Sequence, residues 1–61
     1  MTNDFPTISE DEFKMASKLA NCADIDEQDA NDCWQICRLK RGQIFDMAAA
    51  RRGLKLVREY L

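Results

Sequence analysis

The stretch from Ile44 to Leu61 constrains this chain more than any other. Placed on a helical wheel, Met47, Ala50, Leu54, Val57 and Leu61 fall in one stripe at alternating spacings of three and four, the pattern of a packing helix. Phe45, Ala49, Leu56 and Tyr60 make a second stripe beside the first. Together the stripes cover roughly 200° of the wheel, about twice the arc of an ordinary surface helix. A helix of that kind needs neighbours on two sides, and the rest of the chain has to supply them.

The remaining arc of this helix carries Arg51, Arg52, Lys55, Arg58 and Glu59, a basic strip. Gly53 lies within the apolar arc, where a mid-helix glycine costs about 1 kcal/mol relative to alanine. Ala49 and Gly53, one turn apart, make a shallow notch at which another helix backbone can approach closely, and such an approach would offset that cost.

Two further helices are legible upstream. Ser9 followed by Glu12 is a capping box: hydroxyl to backbone in one direction, carboxylate to backbone in the other. Ile8 and Phe13 flank it as a hydrophobic staple. The first helix therefore starts at about residue 9 and continues to about 23. Phe13, Ala16, Leu19, Ala20 and Ala23 form its apolar face, with Met15 at the edge. Asp26 is a second N-cap, opening a helix over about 26–41. Ala30, Cys33, Trp34 and Cys37 form the expected buried stripe there, with Ile36 and Leu39 on its flanks and Trp34 as the core's largest anchor. Arg38, Lys40 and Arg41 suit the negative end of this helix dipole, and Gly42 is placed to stop it. A short turn at Gly42 and Gln43 then leads to the third helix, over about 43–60. The alternative is one rod from 27 to 61 in which Gly42 is no break. Asp46 in the first turn of the third helix is explained by N-terminal capping.

The fold class expected is all-α, a small three-helix bundle with helices at about 9–23, 26–41 and 43–60. Residues 1–7, broken by Pro6, form a flexible N-terminal arm in which Phe5 can fold back on the body; 8–61 form one helical domain. A chain of 61 residues buries only about 60% of the surface it exposes when unfolded. Marginal stability of this kind invites a second copy or a partner to complete the core. The small faces of the first two helices do not comfortably cover the wide apolar arc of the third. The expected partner surface is therefore the notch around Ala49, Gly53, Leu56 and Tyr60, with a homodimer or another protein seated on it.

Composition excludes most chemistry. The chain has no histidine, so a general base at neutral pH would have to be a strongly shifted carboxylate or lysine. Its carboxylates gather at helix starts, where capping accounts for them, and there is no glycine-rich phosphate loop or nucleophile elbow. No enzymatic activity and no cofactor are expected. Cys33 and Cys37 share a helix face and Cys22 is available from the first helix, but three cysteines need a fourth ligand, such as Asp32, to close a zinc site. Buried cysteines usually act as small hydrophobes, and no metal site is expected. With no signal peptide and no apolar run long enough for a membrane span, the expected location is a reducing cytoplasm, away from any membrane.

Charge is polarised along the chain. Residues 1–32 hold nine acidic and two basic side chains, a net −7, whereas 33–61 hold seven basic and two acidic, a net +5. The basic strip Arg51, Arg52, Lys55 and Arg58 is therefore a candidate anion or nucleic-acid surface, unless the acidic half neutralises it within the molecule. The region fits a helix-turn-helix poorly, because Arg38, Arg41 and Gln43 occupy positions that normally pack inward. A sequence pI near 4.9 also weighs against unspecific DNA affinity. The expected function is thus a protein–protein interaction module, a small regulator or inhibitor that binds a larger protein. The alternative is a nucleic-acid-binding helical domain that uses the basic face of the third helix.

Overall fold

Why the chain breaks where it does follows from how its helix ends are satisfied. A computed structural model describes residues 6–61. Most of the expected flexible arm, with Phe5, lies outside the described residues. Helix α1 spans Glu10–Ala20, α2 spans Glu27–Lys40 and α3 spans Met47–Tyr60, and the three pack on one another as an all-α bundle. The Cα radius of gyration, 10.7 Å, is close to the roughly 10.5 Å expected of a compact chain of this length.

The capping box forms as the spacing predicts. Glu12 N–H donates to Ser9 Oγ at 3.1 Å, and Ser9 N–H donates to Glu12 Oε1 at 2.9 Å. Ile8, before the cap, is buried, and Phe13 packs against the core. Asp26 caps α2 by accepting from Gln28 N–H at 3.1 Å. Helix α1 stops at Ala20, three residues short of the expected end, with Asn21 as C-cap and its side-chain amide donating to Ser17 O. Ala23, assigned above to the apolar face, is consequently exposed in the connection.

The α2–α3 connection is longer than the two-residue turn expected, and it rules out a continuous rod. Gly42 adopts φ +72°. Gly42 N–H donates to Leu39 O at 3.1 Å and Gln43 N–H to Arg38 O at 2.9 Å, the paired reverse bonds of a Schellman ending that needs a left-handed residue. Helix α3 then starts at Met47 rather than 43. Asp46 is its N-cap and accepts from Ala49 N–H at 3.2 Å. Asp46 N–H in turn donates to Gln35 Oε1 on α2 at 3.0 Å, which fixes where the third helix enters.

The core is built from Ile8, Ala16, Leu19, Cys33, Ile36, Cys37, Ala49, Ala50, Leu54 and Val57. On α2 the buried centre is Ile36 between Cys33 and Cys37, and Trp34 is 41% exposed. The expectation that Trp34 anchors the core is therefore corrected. Alanines on α1 and α3, with Gly53, let the helices approach closely, and an indole has no room between them. The narrower stripe of Cys33, Ile36 and Cys37 fits that space.

Close packing also revises the picture of α3. Its apolar arc, expected to exceed what the chain could cover, is largely buried within the molecule: Ala49, Ala50, Gly53, Leu54 and Val57 are all enclosed. A wide arc of small side chains can be covered by small neighbours because the backbones come together. Most of this arc therefore needs no second copy to cover it, although Tyr60 and Leu61 remain exposed.

Candidate interaction surface

The notch at Ala49 and Gly53 exists, and α2 of the same chain fills it. A Cβ built on Gly53 would stand 2.5 Å from the Asp32 carbonyl oxygen and 2.9 Å from Ile36 Cδ1. Ala49 is fully buried. These two residues are closed to any partner in the folded chain. Leu56 is half-buried against the core, and Tyr60, 56% exposed, is the one member of the expected apolar site that lies mostly in solvent.

The basic strip is divided in the same way. Arg51, Arg52, Lys55 and Arg58 are all exposed, but two are held by carboxylates from other helices. Arg52 reaches Asp32 of α2 through Nε and Nη2, each at 3.3 Å, and Gln28 Nε2 donates to the same carboxylate. Arg58 Nε donates to Glu12 Oε2 of α1 at 2.7 Å. Among the described residues Asp32 and Glu12 are the two buried charged side chains, and each meets an arginine whose side chain is about half in solvent. Burying a carboxylate is tolerable when it is paired and hydrogen-bonded, so these arginines answer a need inside the molecule. Glu12 accepts from both Ser9 and Arg58, and its carboxyl lies below the ordinary carboxylate range, first because of the Ser9 backbone N–H and then because of Arg58.

Helix α2 turns a different face outward. Arg38 Cζ lies 5.8 Å from the centroid of the Trp34 ring, one helical turn away. Arg41 Cζ lies 5.7 Å from the centroid of Phe13, on α1. Trp34, Arg38 and Arg41, at spacings of four and three, form one stripe along α2, which Phe13 joins across the α1–α2 seam. Both distances are within the range of a cation–π contact. The sequence contained a signal for half of this surface, the i, i+4 spacing of Trp34 and Arg38. It held none for Phe13 and Arg41, which only the packing of α1 on α2 brings together.

The cysteines do not converge. Cys33 and Cys37 are core residues, Cys22 is exposed beyond the end of α1, and all three thiols are free. Burial, with lesser contributions from Asp29, Asp32 and Cys37, pushes the Cys33 thiol up to about 11, and burial raises Cys37 as well. Among the described residues, no group of three or more His, Cys, Asp or Glu side chains is arranged to hold a metal ion. No helix among them is long and apolar enough to cross a membrane.

Comparison with protein-family models, curated proteins and solved structures returns no match to this chain.

Proposed function

We propose that this chain is a protein–protein interaction module that acts by occupying the surface of a larger protein, as a small regulator or inhibitor does. The observation that carries the reading is the placement of Trp34. A small domain short of core volume keeps its single tryptophan at the surface, with an arginine over the ring. Tryptophan, tyrosine and arginine are the side chains most enriched among residues that dominate binding energy at protein interfaces. A reducing cytoplasm suits the three free thiols, and that is the proposed location.

Nucleic-acid binding through α3 is the weaker reading, because Arg52 and Arg58 already serve buried carboxylates. The test is affinity capture from the native host, with and without nuclease, using the wild-type chain and Trp34→Ala. The expected result is a nuclease-resistant set of proteins retained by the wild type and lost by a Trp34→Ala chain that still folds. Capture of the same set by the variant would remove Trp34 from the interface. Capture abolished by nuclease would replace the reading with the nucleic-acid one.

A further inference from the structure

Resting on the interaction-module reading, we infer that the stripe of Trp34, Arg38 and Arg41, extended by Phe13, binds a short acidic segment of a partner protein whose carboxylates lie next to apolar side chains.

Four of the arginines fall into two kinds. Arg52 and Arg58 form ion pairs with Asp32 and Glu12. Arg38 and Arg41 lie over aromatic rings instead, and among the described residues neither forms an ion pair. A guanidinium carries its N–H donors in its plane, and attraction to a ring face leaves those donors to be satisfied by water or by a partner's oxygens. The rings limit the freedom of the two side chains, which lowers the ordering cost when a carboxylate binds. Trp34 and Phe13 supply apolar area beside those cations. A ligand that satisfies both must bring negative charge and apolar side chains within a few residues of each other.

Charge on the same helix selects a carboxylate-bearing protein over a nucleic acid, although arginine suits both. Glu27 stands two turns before Trp34 on the same face, and Asp24 and Asp26 are exposed just ahead of it. A phosphate backbone running along this face would leave the two arginines and meet the Glu27 carboxylate, with Asp24 and Asp26 exposed beyond the start of the helix. The whole chain has a net charge of −2. A short segment with its acidic end at Arg38 and Arg41 and its apolar part over Trp34 meets no such repulsion.

A displayed library of random dodecapeptides panned against the full chain tests the inference. Leading peptides are then titrated by calorimetry against wild type, Arg38→Gln/Arg41→Gln, Trp34→Ala and, as a control, Lys55→Gln. Selected peptides should be enriched in Asp and Glu adjacent to aromatic or aliphatic residues. Affinity should fall roughly tenfold or more in the arginine double variant and in Trp34→Ala, and remain unchanged in Lys55→Gln. Circular dichroism establishes that each variant is folded, and Trp34→Ala provides the decision if the double variant is not. Selected peptides no more acidic than the starting library, or equal affinity for wild type and variants, would overturn the inference. So would tighter binding of oligothymidylate than of any peptide, or a dimer in sedimentation equilibrium that Trp34→Ala dissociates. Loss of native-host capture in Trp34→Ala together with non-acidic selected peptides would leave the interaction module standing and remove only this partner chemistry.

Discussion

Gly53 of α3 lies against the backbone carbonyl of Asp32 on α2, so closely that a Cβ at position 53 would come within 2.5 Å of that oxygen. The side chain of the same aspartate holds Arg52, the neighbour of the glycine. One residue of α2 thus sets the separation of two helices through its backbone and their register through its carboxylate.

Substituting Gly53 should be destabilising despite its helical position. Alanine gains about 1 kcal/mol in helix propensity over glycine. The added methyl meets backbone rather than the flexible end of a side chain, and overpacking of that kind costs about 1–3 kcal/mol, or more where backbone must shift. Gly53→Ala is expected to lose up to about 2 kcal/mol net by urea denaturation. A variant more stable than wild type would show that α2 and α3 are not held at this distance.

Glu12 should make stability depend on pH in the acid range. Its folded carboxyl lies below the ordinary value, so the folded state favours the ionised form. That contribution is fully present above the unfolded carboxylate's pKa of about 4.3 and is lost as pH falls through the lower folded value. Arg58 is half exposed, which weakens the pair, and Glu12→Gln should cost about 1 kcal/mol near neutrality. Denaturation midpoints measured from about pH 6 down to pH 3 should fall less steeply in the variant than in wild type. Parallel curves would assign the acid sensitivity to other carboxylates.

Trp34 and Ile36 should respond oppositely to their sizes. Ile36 is fully buried, and truncation to alanine should cost about 2–5 kcal/mol. Trp34→Ala removes a larger side chain from a partly exposed site and should cost about 1 kcal/mol or less. Acrylamide should quench the tryptophan fluorescence of the native protein efficiently. If Trp34→Ala were the more damaging of the two, the indole would belong to the core.

The thiols should separate by reactivity. Cys22 is exposed, whereas Cys33 and Cys37 are buried, with raised pKa values that keep them protonated at neutral pH. Ellman's reagent should therefore titrate one thiol in the native protein and three in denaturant. Rapid native labelling of Cys33 or Cys37, located by peptide mapping, would show that α2 opens readily.

Features governed by neighbouring residues were legible in the chain itself. Ser9 with Glu12, Asp26, and Gly42 after a run of cations identify two helix starts and one stop, because capping bonds join backbone and side chains only a few residues apart. Helical periodicity alone puts the third start four residues early, at about 43 rather than Met47. Asp46 is legible as a cap-type residue, but the bond from its N–H to Gln35, eleven positions back, is tertiary. Periodicity also identified α3 as a helix packed on two sides.

What covers α3 was decided only by packing. Small residues can admit either a helix of the same chain or one from a partner, and periodicity does not distinguish them. The observed answer, α2 seated on Gly53, depends on how closely three specific backbones approach. The same closeness excludes the indole of Trp34 from the interior and brings Phe13 under Arg41. Local hydrogen bonds and helical periodicity, written in adjacent residues, determined the elements of this protein; the distances between those elements determined which side chains are core and which are surface.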